Sequence, residues 1–326
     1  MQVCDSGKIG AFYLKMHALT PGGDPELLAK AGAAGEWLLR IQQPDGDLTG
    51  SVFNSNTGNV TKPSNFAGGV CAVLLWAELY NATREDRWLT AAVHASEAIV
   101  SKWMQPGAYM FCGGELDDLF NPRGPCSDIG TTAAMYGAMA FASLALATEK
   151  SGLGRTDFDG GGDSTLAHSH AHAMAVNCTR VLADYMLAQQ EVRDTNYGFY
   201  RRKARWMGAD FKSSGGYQEW IRPETTYFMW RSFLATRDAR YLQSMLRHAA
   251  WMQYKQWDEF DLSGSVDSLR TFGGSDESFQ VGSDNLNGFG SNFWSETVGQ
   301  GVALLEYYSM LINGEIDLRE LDALLS

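Results

Sequence analysis

Two kinds of apolar segment alternate along this chain. Residues 66–80 are apolar on nearly every face (Val70, Cys71, Val73, Leu74, Leu75, Trp76, Leu79), which predicts a helix buried all round. Residues 87–103 set Thr90, His94, Glu97 and Ser101 on one helical face and Leu89, Val93, Ile99, Val100 and Trp103 on the other. That is the pattern of an amphipathic helix with one wet side. The alternation continues with an uncharged segment at 130–147 and an amphipathic one near 166–190. An inner pattern at 224–235 precedes an outer one at 239–257. A further inner helix is expected at 293–311, where only Glu296 and Glu306 are charged, and an outer one begins in 315–325. Residues 5–19 and 25–43 form the first pair. The turn at 21–25 joins them, with Asp24 as N-cap and Pro25 at the first helical position.

The connections are as informative as the helices. Inner-to-outer links are short, with one moderate polar insertion at 149–164 in the third hairpin. Outer-to-inner links are long every time: 44–65, 104–129, 191–223 and 258–292. Pro44, Pro63, Pro106, Pro122, Pro125 and Pro223 all lie in these long links. Buried helices alternating with amphipathic ones close into a double ring. The expected fold is therefore an all-α (α/α) toroid of about five helical hairpins, in one domain spanning residues 1–326. Its long loops gather at the N-termini of the inner helices, where function sits on a rigid scaffold. No period-2 run competes, although small hairpins fit inside the loops. The N-terminus reads as starting inside a fold, so a segment upstream is expected.

One short stretch occurs twice. Residues 82–89 read Ala-Thr-Arg-Glu-Asp-Arg-Trp-Leu and residues 235–242 read Ala-Thr-Arg-Asp-Ala-Arg-Tyr-Leu. Each copy joins an inner to an outer helix, as a tight turn in a helical hairpin does. With Leu79-Tyr80-Asn81 before the first copy, and Trp37-Leu38-Leu39, Gln42 and Asp45-Gly46 earlier, the chain resembles the six-hairpin glycosidase superfamily of (α/α) toroids. That resemblance covers nearly the whole chain and rests on structural motifs. It implies a carbohydrate site at the long-loop end, often served by Asp or Glu as acid and base, as in uronyl hydrolases, polysaccharide lyases and sugar epimerases.

Charge and composition narrow the function. The net charge of −12 disfavours nucleic acid or an anionic membrane as a general partner. No uninterrupted apolar run of membrane-spanning length is evident, and no signal peptide precedes the first helix. The five cysteines fit no zinc pattern; Cys71 reads as core, and Cys112 with Cys126 is a possible loop bridge. Asn59, Asn81 and Asn177 open N-x-T sequons.

Glycoside hydrolysis needs two carboxyl groups, one protonated and one ionised. Asp128 precedes the uncharged helix, Glu224 follows Pro223, and Glu296 lies one turn into an apolar helix. Asp118 sits beside Asp117 in the second long loop. Asp128 and Glu224 have an alternative reading as helix-start caps. Glu296 on an apolar helix needs a partner or a wet cavity. Sugar faces stack on aromatics and sugar hydroxyls meet amides. That nominates Tyr217, Trp220, Tyr227 and Trp294 with Asn65 and Asn292, whereas Trp76, Trp88 and Trp103 read as core.

The loop 191–223 holds seven Lys or Arg against four acids, with Arg222 nearest an inner helix. Arg presents a fork suited to carboxylate, so the expected substrate is an anionic, uronate-containing glycan. Pairing of those cations with neighbouring acids is the competing reading. No cofactor and no metal is expected. His168, His170 and His172 do not share one helical face, and Asp157 to Asp163 lacks the full ligand series of a calcium loop. The expected activity is cleavage of glycosidic bonds by carboxylate acid/base hydrolysis. The alternatives are β-elimination with a Tyr base (Tyr197, Tyr200 or Tyr217) and a non-catalytic glycan-binding toroid.

Overall fold

The computed structural model describes residues 2–103, 131–150, 162–189, 218–219, 224–255, 279–280 and 294–316. Its helices are α1 (Val3–Leu19), α2 (Pro25–Ile41), α3 (Phe66–Thr83), α4 (Asp86–Trp103), α5 (Thr131–Lys150), α6 (Gly162–Gln189), α7 (Glu224–Thr236), α8 (Ala239–Lys255) and α9 (Trp294–Ile312). The strands described are β1 (Val52–Phe53), β2 (Val60–Lys62), β3 (Gln218–Glu219) and β4 (Phe279–Gln280). Each helix matches an expected one within a few residues. The largest difference is α6, which begins at Gly162, inside the expected polar insertion. Asp163, Ser164 and Thr165 there are residues that suit a helix's first turn. The outer helix expected from 315 falls almost wholly outside the described residues.

The chain divides into two compact units, residues 1–182 with 234–236, and residues 183–233 with 237–326. In the first unit α3 is the central element. It packs between α1 and α5, with α4 against its outer side, while α2 covers α1. Every residue of α3 from Phe66 to Tyr80 is buried, which explains its all-round apolar sequence. This helix is long and apolar enough to cross a membrane, but 83% of it is buried inside the fold, as in a core helix. A fully buried side chain such as Leu75 contributes roughly 1.5–3 kcal/mol relative to exposure. Trp76 and Trp88 are also core, as their sequence context implies, whereas Trp103 is only half-buried.

Three inner helices of this unit are cross-linked by polar groups. The Glu78 carboxylate on α3, 6% exposed, accepts from the Ser143 hydroxyl on α5 at 2.7 Å and pairs with the Lys15 ammonium on α1 at 3.4 Å. Lys15, Glu78 and Ser143 are each the thirteenth residue of their helix, so the three side chains meet at a similar depth from the helix starts. In the second unit Glu306 is the thirteenth residue of α9 and accepts from the Trp230 indole on α7 at 2.8 Å. Trp230 also meets Tyr307 edge-on, with ring centroids 5.9 Å apart.

The duplicated stretch proves to be a joint. Arg84 and Arg237 hold the same left-handed backbone, with φ of 60° and 55°, and each N–H caps its helix by donating to the carbonyl of Tyr80 or Phe233. The next helix starts two residues later. Arg87 stacks over buried Trp88 at 4.2 Å and pairs with Glu36 on the preceding outer helix α2 and with Glu85. Arg240 repeats this, 5.7 Å from the centre of the Tyr241 ring and paired with Asp184 on α6 and with Asp238. The Tyr241 hydroxyl donates to Asp184 at 2.9 Å. The repeat therefore turns the chain and clips each outer helix to the one before it.

Candidate functional site

The long-loop end of the first unit is defined by the segment from Gln42 to Asn65. Gln42 donates its amide to the carbonyls of Ala91 at 3.0 Å and Gly46 at 3.3 Å, fastening the end of α2 to α4. Gly46 turns the chain at φ 88°, and a Cβ there would overlap the His94 carbonyl. Gln42 and Gly46 of the resembling motif are thus scaffold. Trp37 meets Phe53 of β1 edge-on at 5.4 Å. β1 pairs antiparallel with β2, and the Val3 N–H donates to the Ser51 carbonyl at 2.9 Å. The loop is thereby sewn to the N-terminus of α1, and it runs directly into the N-terminus of α3.

A polar cluster closes the base of this loop. The Lys102 ammonium at the end of α4 reaches Asp47 Oδ2 at 2.5 Å and Ser64 Oγ at 2.9 Å, and Ser64 donates to the same Asp47 oxygen at 2.8 Å. Leu48 N–H donates to the other oxygen at 2.8 Å. Burial pushes the Asp47 carboxyl up, but the hydrogen bonds from Lys102, Ser64 and Leu48 outweigh it and hold it below the usual carboxylate range. This carboxylate is committed to structure.

Asn65 is the N-cap of α3, its Oδ1 accepting from Gly68 N–H at 2.8 Å. One arm of its amide is therefore occupied by the helix start. Two further side chains stand one and a half turns into the neighbouring inner helices. Lys8 on α1 donates to the Tyr136 hydroxyl on α5 at 2.9 Å, with its ammonium 4.7 Å from the ring centre. Each is the sixth residue of its helix. Neither residue is singled out by the sequence analysis; the available signal is their equal depth from the helix starts.

In the second unit, Glu224 and Trp294 are the first residues of α7 and α9, and Glu296 is the third residue of α9. All three lie at inner-helix N-termini, where the helix dipole favours an anion. Tyr227 is 9% exposed, with the Arg231 guanidinium 5.9 Å from its ring centre, so it belongs to the packing of α7. β3 pairs with β4, Gln218 opposite Gln280 and Glu219 opposite Phe279. The basic, aromatic loop 191–223 is thus joined to the loop 258–292. Asp118, Asp128, Tyr217, Trp220, Arg222 and Asn292 lie outside the described residues, as do Tyr197, Tyr200, Cys112 and Cys126.

Of the three histidines on α6, His170 is exposed and His172 Nδ1 lies 3.1 Å from both Thr148 Oγ1 and the Ala145 carbonyl on α5. His172 is therefore engaged in helix packing. Among the described residues no group of three or more His, Cys, Asp or Glu side chains is placed to hold a metal.

No family model and no curated protein matches the chain. Among solved structures it is similar to an α-mannanase of glycoside hydrolase family 76 from Bacteroides thetaiotaomicron, with a TM-score of 0.55 and 12% identity, over 96% of this chain and 71% of that one. It also aligns with a cellobiose 2-epimerase from Bacillus thermoamylovorans (TM-score 0.49, 11% identity, 94% of this chain and 88% of that one). A family 76 mannosidase from Bacteroides thetaiotaomicron aligns at TM-score 0.48 and 15% identity, over 78% of this chain and 62% of that one. At 12% identity the first likeness establishes the fold, and that fold is the (α/α) toroid.

Proposed function

We propose that this protein is a carbohydrate-active enzyme that cleaves glycosidic bonds by carboxylate acid/base hydrolysis. The observation carrying this reading is the toroid fold matched over 96% of the chain to an α-mannanase, joined to the acids that open its inner helices. Fold alone does not assign chemistry, so the weight rests on Asp128, Glu224 and Glu296, with Asp118 on its loop. Three of these sit at or just before an inner-helix start, where a loop-lined cleft would hold a sugar. Tyr217, Trp220 and Trp294 are the stacking faces in this scheme, with Asn65 and Asn292 meeting hydroxyls. Asn65 would offer its NH2 arm, since the oxygen caps α3. Tyr227, buried beneath Arg231, would shape the floor and not stack on substrate.

The substrate proposed is an anionic glycan, because the loop 191–223 carries a local charge of +3, seven cations against four acids, in a chain of net charge −12. Arg222 is the cation nearest an inner helix. A neutral α-mannan is the competing substrate, since the similar mannanase bears that name. The test is incubation with α-mannan, neutral β-glycans and uronate-containing polysaccharides, read by new reducing ends and by absorbance of unsaturated products. Hydrolysis of an acidic glycan should weaken as salt rises, because exposed charge attraction is screened over roughly 10 Å at 0.1 M. Arg222→Ala should slow that substrate selectively. Salt-insensitive cleavage of α-mannan, untouched by Arg222→Ala, would overturn the anionic assignment. Asp128→Asn and Glu224→Gln should each lower turnover by about 10²–10⁴ with little loss of stability. Unsaturated products would replace hydrolysis by β-elimination.

A further inference from the structure

Two buried thiols meet where the inner helices α1 and α3 cross. Cys4, the second residue of α1, and Cys71, the sixth of α3, have their Sγ atoms 2.6 Å apart. Cys71 is 0% exposed and Cys4 5%. The crossing is held tight by Gly7, one turn after Cys4. A Cβ at Gly7 would overlap the Cys71 carbonyl oxygen and come within 2.9 Å of the Cys71 Cβ. The two helix backbones therefore touch beside this pair, and Val3 N–H, next to Cys4, is tied to the Ser51 carbonyl of the adjoining loop. The sulfurs stand about half an ångström beyond the bonded distance of roughly 2.05 Å.

We propose that Cys4 and Cys71 form a disulfide that locks α1 to α3 beside the loop 42–65. Two S–H bonds are lost and one S–S bond forms. Two electrons and two protons pass to the disulfide of an oxidant, either a thiol–disulfide oxidoreductase or oxidised glutathione, which leaves as two thiols. The link spans 67 positions of sequence and encloses α2 and the whole loop that reaches α3. A closed loop of that length removes considerable freedom from the unfolded chain. Burial, then the neighbouring Cys4 thiol, push the Cys71 thiol well above its ordinary range, so the folded pair resists both thiolate exchange and reduction. Cys178 stands apart on α6; burial pushes its thiol up to about 12, and it remains reduced. This bond belongs to an oxidising compartment, and it is a different pair from the loop cysteines 112 and 126.

The test uses the full chain with Cys112→Ser and Cys126→Ser, folded in glutathione redox buffer. The protein is unfolded in urea with N-ethylmaleimide and no reductant, digested and weighed. The Cys4 and Cys71 peptides should appear joined, with maleimide on Cys178, and separate only after reduction. The thermal midpoint should fall by several degrees when the same protein is reduced with a phosphine in urea and refolded with the reductant present. A further Cys4→Ala, Cys71→Ala change should give a low midpoint that the reductant no longer moves. Maleimide on both Cys4 and Cys71 in protein folded under oxidised glutathione would overturn the assignment. So would equal midpoints for the oxidised protein and for the protein reduced in urea and refolded.

Discussion

Replacing Glu78 by Ala should destabilise the protein severely while leaving its chemistry intact. The carboxylate is 6% exposed, accepts from Ser143 and pairs with Lys15, which is itself only about one-fifth exposed (20%). Removing it takes a charged partner from the Lys15 ammonium and an acceptor from the buried Ser143 hydroxyl where three helices meet. Breaking a buried ion pair from one side costs about 3–5 kcal/mol. Lys15 keeps some access to water, which places the expected loss at the lower end, about 3 kcal/mol. For a unit of this size that lowers the thermal midpoint by roughly 6–12 °C. The companion variant, Glu78→Leu with Lys15→Met, removes both charges and should recover most of the loss, because apolar replacement of a buried pair is commonly neutral or stabilising. Urea unfolding of Glu78→Leu, of Lys15→Met and of the double variant closes the cycle. Glu78 lies about 20 Å along α3 from its N-terminus, at 1.5 Å per residue, so turnover per folded molecule should be unchanged. A loss below about 1 kcal/mol, or a collapse of turnover in protein shown to be folded, would refute the structural reading of this acid.

The remaining predictions follow from single features. Arg84→Gly and Arg237→Gly should be neutral or stabilising by up to roughly 1 kcal/mol, and Arg84→Val less stable than Arg84→Gly by at least about 1 kcal/mol, because left-handed backbone penalises branched side chains; equal urea midpoints for Gly and Val would contradict the backbone argument. Asp47 has a folded pKa below its ordinary value of 3.8, so its contribution is full above that value and fades as pH falls through the depressed folded one. Asp47→Asn should therefore lower stability at neutral pH and flatten its decline below about pH 4; an acid limb identical to that of the unsubstituted protein would count against the cluster with Lys102. Glu306→Gln should cost stability and spare turnover, whereas Glu296→Gln should spare stability and cut turnover by about 10²-fold or more; the reverse pattern would exchange their roles.

The helices were legible because burial dictates side-chain chemistry position by position. α3 is apolar all round since each residue from Phe66 to Tyr80 meets another part of the fold. α4 is two-faced because only one side meets α3. The joint was legible as a repeat, but its physics was not: nothing in the letters Thr-Arg shows that Arg84 and Arg237 adopt positive φ. Pairings such as Lys15 with Glu78, or Lys8 with Tyr136, depend on register between helices far apart in sequence, which periodicity within one helix does not encode. The candidate site is legible in the sequence only as an end of the helices. Asn65 illustrates the limit: the sequence places it at the right boundary, yet the same residue serves as a helix cap with one arm of its amide. The Asp128, Tyr217, Trp220 and Arg222 candidates belong to stretches of sequence with no repeating pattern from which a position could be read.

Depth along the inner helices offers a physical rule for sorting their charged residues. At the thirteenth position Glu78 and Glu306 are met by donors on neighbouring inner helices, Lys15 and Ser143 in one unit and Trp230 in the other. An acid there is surrounded by helix sides, so its carboxylate must be satisfied by side chains reaching across. At the sixth position Lys8 and Tyr136 satisfy each other in the same way. At a helix's first turn the surroundings change: unbonded backbone N–H groups point outward along the helix axis. A carboxylate in such a turn is favoured as an anion by the helix dipole, and an incoming polar ligand can compete for the same groups. Glu224 and Glu296 occupy that turn, Glu78 and Glu306 do not. We propose that position within the helix, more than the bare presence of an acid on an apolar background, separates an acid available for chemistry from one that holds its neighbouring helices together.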